Sequence, residues 1–339
     1  MTRAGETPLD VHIVDTSEGL HLDEATRVLL PPDSRFLDFL ASIAPHTRSF
    51  TIRTNHAPTK RYFCDHVLST FLTKCAPGGF KWLSVSVGRD YDFPEGSVHR
   101  TLLGQIENRV EALCHPVTVF RSREFYPAWK SKLYHGLVEL CLTGEGLEAS
   151  IPESRLAAVL KSSPGLRILK IALQVTRITP SHTPIEPVAL VDLEQLKPES
   201  FEEPQLGYLL RLIAPGLKPL SITIANPWED EDESWRPGAQ FTSRTELEKF
   251  FARSNIAQLY TNGFNGYNQV ADALVMAPSV RVLVLDAFAC NQVPDENVLP
   301  QGFTLDELTS LTWSSVQRMV EKHCVRKLIL WSYDFRYCG

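Results

Sequence analysis

The chain has 339 residues, 43% hydrophobic and 22% charged, with Lys+Arg 34 against Asp+Glu 40 and a formal net charge of −6. That is globular composition, and it excludes a disordered tail and a collagen-like chain. The acidic surplus argues against a general nucleic-acid binder, because neutralising phosphates needs a surplus of Lys and Arg.

Taken in chain order, short strands alternate with helix-spaced segments. Pro8 opens an alternating strand at residues 9–13. Phe39 to Ala44 has helical apolar spacing and stops at Pro45, and Phe50 and Ile52 follow that proline by five and seven residues. The phrase recurs from Phe71 to Pro77, with a strand at 83–87 displaced by one residue after Gly78 and Gly79. Residues 138–142 form a strand with His135 at the proline position. Leu156, Val159 and Leu160 lie on one helix face before Pro164, and Leu169 and Ile171 follow at the same two offsets. Residues 191–196 are strand-like. Leu209 to Pro215 repeats the phrase before a strand at 220–224, and Leu259 marks another strand. Ala273 to Pro278 precedes a strand at 283–285, and His323 precedes the last at 328–330. Proline punctuates each unit because it cannot continue a helix and pushes the residue before it toward extended geometry.

The anchors Leu140, Leu169, Leu193 and Leu220 are 29, 24 and 27 residues apart. A leucine-rich repeat spans about 20–29 residues, with one strand and one helix or turn per unit. No such unit buries its apolar face alone, so neighbours stack. The fold predicted is α/β: a leucine-rich-repeat-like solenoid of residues 1–339, with a parallel sheet on the concave face and helices on the convex face. Insertions are expected near 116–136, 226–244 and 290–310. The rival, a doubly wound sheet or barrel, buries its strands on both faces and needs near-continuous apolar runs. Here Ser84, Ser86, Lys170, Ser221 and Thr223 fall at alternate strand positions, which favours one wet face.

Chemical motifs are sparse. The seven cysteines include no CxxC pair, which removes the common zinc and thioredoxin patterns, and their apolar neighbours suggest reduced, packed thiols. No Asn-x-Ser/Thr sequon, signal-peptide core or apolar run of membrane-spanning length is present, so an intracellular protein of the cytoplasm or nucleus is expected. Gly144-Glu145-Gly146-Leu147-Glu148-Ala149 fits a dinucleotide-binding string. Pro152 delays the helix that must open at once, and the required acid is missing after Gln174, so no cofactor is assigned. The ten histidines have no metal-ligand spacing, and the phosphate-loop, nucleophile-elbow and HExxH strings are absent, so no catalytic or metal residue is assigned. Between Trp228 and Trp235 the acids at 229–233 suggest a solvated loop or a docking loop for a basic partner. The 116–136 stretch interleaves Arg121, Arg123, Lys130 and Lys132 with Phe120, Phe125, Tyr126, Trp129 and Tyr134. That mixture can stack single-stranded nucleic acid or pack a loop on its own core, and the negative charge favours the second.

Arg155 to Ile171, with its Leu-Arg-Ile-Leu-Lys-Ile close, resembles the leucine-rich-repeat portion of fungal F-box-like proteins. Phe39 to Ile52 and Leu209 to Ile224 share the pattern, and the resemblance spans about residues 8–332. In that family an F-box docks to the adaptor of a ubiquitin ligase, and the array presents a surface to a substrate. Leu30-Pro31-Pro32-Asp33 is the nearest match to an F-box start, but it runs straight into repeat sequence. The resemblance therefore implies substrate recognition without direct adaptor binding. The expected function is a non-enzymatic protein-interaction scaffold; the alternatives are an α/β enzyme with no readable motif and a non-functional fragment of a longer repeat protein. Partners are expected to be proteins, with no nucleic acid and no membrane. The candidate partner surface is Tyr260, Val282, Val284, Asp286, Ile329 and Trp331. Its apolar members stand at positions that Ser and Thr hold earlier in the array, and exposed apolar patches mark interaction sites.

Overall fold

In a computed structural model, the residues described are 7–15, 33–54, 58–76, 78–87, 111, 116–144, 149–176, 186–199, 205–225, 242–262, 267–286 and 325–331. They belong to two units, Met1–Gln174 and Val175–Gly339.

In the first unit, β1 (Leu9–Asp15) is followed by α1 (Ser34–Ile43), β2 (Thr47–Thr54), α2 (Pro58–Lys74), β3 (Trp82–Ser86), β4 (Val119–Arg123) and β5 (Glu139–Thr143). Then come a short β6 (Ser150–Pro152), α3 (Glu153–Lys161), β7 (Ile168–Ala172) and β8 (Gln174–Thr176), which reaches the unit boundary. Six strands lie side by side in the order β1-β2-β3-β4-β5-β7, and every described pair is parallel. Chain order is sheet order, as expected for stacked repeats. The step between repeats is visible in the backbone: Lys81 N donates to Arg48 O (2.8 Å), Thr118 N to Lys81 O (2.9 Å), Val138 N to Thr118 O (2.8 Å) and Arg167 N to Val138 O (2.8 Å). Each strand thus enters the sheet by hydrogen bonding to the residue that led in its predecessor.

Helix starts and stops follow local chemistry. The Asp33 side chain caps α1 by accepting from Arg35 N at 2.8 Å. In α3, Glu153 in the first turn and Lys161 in the last oppose the helix dipole, and Leu156, Val159 and Leu160 are buried. The Ser163 hydroxyl, 1% exposed, donates to Tyr134 O (2.7 Å) and accepts from Leu137 N (2.9 Å), tying the helix exit to the preceding repeat. The core beneath the strands takes in α2, where the Phe71 ring stacks on Phe50 with centroids 4.0 Å apart.

The second unit holds β9 (Val188–Leu190), β10 (Gln195–Pro198), α4 (Gln205–Arg211), β11 (Ile213–Pro215), β12 (Leu220–Ala225), α5 (Thr242–Ala252), β13 (Ile256–Asn262), α6 (Tyr267–Met276), β14 (Val282–Asp286) and β15 (Lys327–Trp331). Five strands follow the order β10-β12-β13-β14-β15, again parallel. The lead-in bond recurs from Arg281 N to Ala257 O and from Arg326 N to Arg281 O, both 2.8 Å. Separately, β9 and β11 pair as a small parallel sheet. The Arg253 guanidinium holds the exit of α4, donating to Leu210 O (2.8 Å) and Ile213 O (3.1 and 3.3 Å), and lies 5.4 Å from the Phe250 ring centroid.

The architecture is therefore α/β with extensive parallel sheet, and no described sheet is closed. Strands form at the predicted places near 9–13, 50–52, 83–87, 138–142, 169–171, 220–224, 259, 283–285 and 328–330. Two readings need correction. The 116–136 stretch does not simply interrupt the array: it contributes β4, paired on both sides. Leu193 is not a strand anchor; it is buried in the turn after β9, and Leu196 holds the anchor place opposite Ile222. The 290–310 insertion and nearly all of 226–244, acidic run included, lie outside the described residues, apart from the start of α5.

Candidate functional site

Side chains on a strand alternate between faces, so register converts sequence into rows across a sheet. In the first unit, Phe50–Leu83–Phe120–Leu140–Leu169 and Ile52–Val85–Ser122–Leu142–Ile171 are the packed rows, each residue at most 2% exposed. The intervening rows are Thr51–Ser84–Arg121–Cys141–Lys170 and Arg53–Ser86–Arg123–Thr143–Ala172. All ten of these residues are half-buried or exposed. One face is therefore hydrocarbon and the other is lined with hydroxyls and cations.

The open face has fixed internal geometry. Arg121 Nε donates to Glu139 Oε1 at 2.5 Å, and its guanidinium carbon sits 4.5 Å from the Trp82 ring centroid. A cation held over an indole face and against a carboxylate is oriented rather than freely rotating. The Arg121 side chain is still 44% exposed, against 12% for Glu139. The bond to Glu139 uses Nε, so the terminal nitrogens take no part in it. Outside this pair, Arg48 Nη2 meets Asp10 Oδ2 at 2.9 Å near the start of β1.

The six residues expected to form a partner surface all fall on three neighbouring strands of the second unit. Tyr260, Val284 and Ile329 share one row, which begins at Thr223. Val282 lies in the adjacent row between Gln258 and Lys327, and Asp286 is in register with Trp331. Tyr260, Val282 and Ile329 are half-buried. Val284 departs from the expectation of an exposed patch: it is 4% exposed, flanked in register by the larger Tyr260 and Ile329.

The aromatics of 116–136 mostly face inward. Phe120, Tyr134 and Phe125 are 0%, 1% and 8% exposed, and Trp129 bridges Tyr126 and Tyr134 at centroid distances of 5.8 and 5.7 Å. This is loop-on-core packing, and rings so engaged are not a stacking platform for bases. Tyr126 Oη donates to Thr143 O at 2.6 Å. Burial, with the Glu124 charge beside it, raises the Tyr126 phenol well above its ordinary range. Tyr134 is raised by burial in the same way.

Glu124 was not singled out by sequence. It follows β4, is 9% exposed and has φ 59°, the left-handed region that costs a non-glycine residue energy. Its only sequence signal is an acid directly after a strand. Among the described residues no group of three or more His, Cys, Asp or Glu could hold a metal ion, and no helix is long and apolar enough to cross a membrane. Gly144 of the glycine string packs against Tyr126 and Ala149, where a Cβ would collide with both. Comparison with protein-family models and with curated proteins gives no match for this chain.

Proposed function

We propose that the chain is a non-enzymatic protein-interaction scaffold, a leucine-rich-repeat-like solenoid akin to the substrate-recognition region of an F-box protein. On this reading its partner is another protein, met in the cytoplasm or nucleus, and it takes no part in adaptor binding. The observation that carries the reading is the division of the parallel strands into a packed apolar face and an open face with ordered polar side chains. Such a face offers area and specific donors, which is what recognition uses, and loops or sheet faces on a rigid scaffold are where binding residues collect. The test is affinity purification with cross-linking mass spectrometry, alongside a purified adaptor pull-down. Cross-links from a reproducible partner to Thr51, Lys170, Tyr260 or Lys327, with no adaptor retained, support the proposal. Direct adaptor binding, or cross-links confined to the helices, contradicts it.

One observation favours a second reading, an α/β enzyme. Glu124 places a buried carboxylate on strained backbone at the carboxyl end of a parallel strand, where such folds often keep reactive groups. A turnover abolished by Glu124→Gln in a protein of unchanged melting temperature would establish that reading over the first.

A further inference from the structure

We propose that copies of this chain associate head to tail, the β15 edge of one copy pairing in parallel with the β1 edge of the next. Among the described strands, β1 is hydrogen-bonded to β2 alone and β15 to β14 alone. Each therefore presents one side of its backbone to a further strand. The packed rows also thin out at both edges. Val11 and Ile13 stand in register with Phe50 and Ile52, which are 0% exposed, yet both are only half-buried. Leu328, in register with the fully buried Leu283, is half-buried as well, and Val14 near the end of β1 is 58% exposed. A terminal repeat that stands alone needs a polar outer face. These two edges keep apolar residues at the packed positions, which a further strand would cover.

Charge selects which edge meets which. Residues 7–15 hold Asp10 and Asp15 and no Lys or Arg, whereas residues 325–331 hold Arg326 and Lys327 and no acid. Asp10, Arg326 and Lys327 are all exposed. Like charges set β1 against β1 and β15 against β15, while opposite charges draw β15 to β1. The array's own register, extended by one strand, puts Leu328 beside Val11 of the next copy and Leu330 beside Ile13, all at packed positions. The same register sets Lys327 directly opposite Asp10. Arg48 already meets Asp10 at 2.9 Å, but that carboxylate is 45% exposed, and a carboxylate accepts from several donors at once. Because the two edges differ, the contact is heterologous and repeats from copy to copy instead of stopping at a pair. One strand pair is a small interface, so the association is weak and depends on concentration.

The experiment is sedimentation velocity of the full chain over about a hundredfold range of concentration. It is joined to zero-length carbodiimide cross-linking of a mixture of isotope-labelled and unlabelled copies. The native chain is expected to grow past the dimer as concentration rises and to return toward single copies as salt is raised. Asp10→Lys and Lys327→Asp should each weaken self-association about fivefold or more, since each sets like charges across the contact. An equimolar mixture of the two variants should restore it, because every contact between unlike variants then joins opposite charges. Cross-links from Asp10 to Lys327 should join labelled to unlabelled copies, a readout that needs no variant to fold. A native chain that stays single at every concentration overturns the inference, as does association that neither reversal weakens. Cross-links that join β1 to β1, with no recovery in the mixture, overturn it in favour of same-edge pairing. Another protein's strand captured at β1 by a chain that stays single overturns it in favour of that protein.

Discussion

The two units use one packed face and two different open ones. In the first, the rows between the leucines hold Arg53, Ser84, Ser86, Arg121, Arg123 and Lys170; in the second, a row that starts at Thr223 runs through Tyr260, Val284 and Ile329. Beneath them the packed rows are nearly interchangeable, with Leu169 and Leu283 both fully buried. The lesson is that packing leaves little latitude on one face, because every methylene there is felt, while the opposite face is free to vary. The same scaffold thus presents a basic, hydroxyl-rich surface in one unit and an aromatic–aliphatic one in the other.

The strongest way to break the comparison is to attack the face the units share. Leu169→Ala and Leu283→Ala should each cost about 2–5 kcal/mol, read as a fall in the urea midpoint, with the two values alike. Lys170→Ala, one residue from Leu169 on the open face, should cost under about 1 kcal/mol. Equal losses at 169 and 170 would mean the faces are misassigned.

The helix exits offer a second test, since each unit fixes its own differently. Arg253→Met removes the donor from the carbonyls of Leu210 and Ile213 and should cost about 2–3 kcal/mol. Burial lowers the Arg253 pKa from its ordinary value, but an arginine stays charged throughout the accessible range. Ser163→Ala leaves Leu137 N without its partner and should cost about 1–3 kcal/mol. Thermal melts of the two variants would rank them in that order.

Alkaline pH should act on the first unit, where three of the described groups are raised. Burial pushes the Cys75 thiol up to about 12 and raises the Tyr126 and Tyr134 phenols. The folded state then keeps protons that the unfolded chain releases, so stability is full below about pH 8.5 and declines as pH rises toward 12. For Cys75 alone the loss at pH 10.5 is on the order of 2 kcal/mol. Urea midpoints at pH 7.5 and 10.5 measure it, and Cys75→Ala should narrow the difference. A midpoint that rises with pH would contradict the assignment.

The smallest effect concerns the open face itself. A double-mutant cycle of Arg121→Ala and Glu139→Ala should give a coupling of only about 0.2–1 kcal/mol, since the arginine is well exposed. A much larger coupling would make this pair a structural staple instead of a recognition element.

The repeat was legible where proline and leucine mark it. Pro164 to Leu169 and Pro278 to Leu283 locate β7 and β14 because a helix stop and a buried anchor leave a local trace. β4 left none: no proline precedes it at the repeat offset, and one of its two packed positions is Ser122. That serine is tolerated in the core because its hydroxyl donates to Phe125 O. Leu193 misled because apolarity alone does not separate a buried turn from a strand. The basic face was invisible for a different reason. Arg53, Arg121 and Lys170 are far apart in the chain, and only the register of four strand pairs brings them together. Val284 makes the same point in reverse: it is buried, and the residues that flank it in register, Tyr260 and Ile329, stand on neighbouring strands.

The measurement that bears most directly on the account is quantitative partner capture by the full chain in three forms: native, Arg53→Glu with Lys170→Glu, and Tyr260→Ala with Ile329→Ala. If the open strand faces do the recognising, at least one altered form loses a cross-linked partner by tenfold or more while its melting temperature stays within a few degrees of native. If both altered forms keep every partner at native levels, the open faces are not the interaction surface and the scaffold proposal is contradicted.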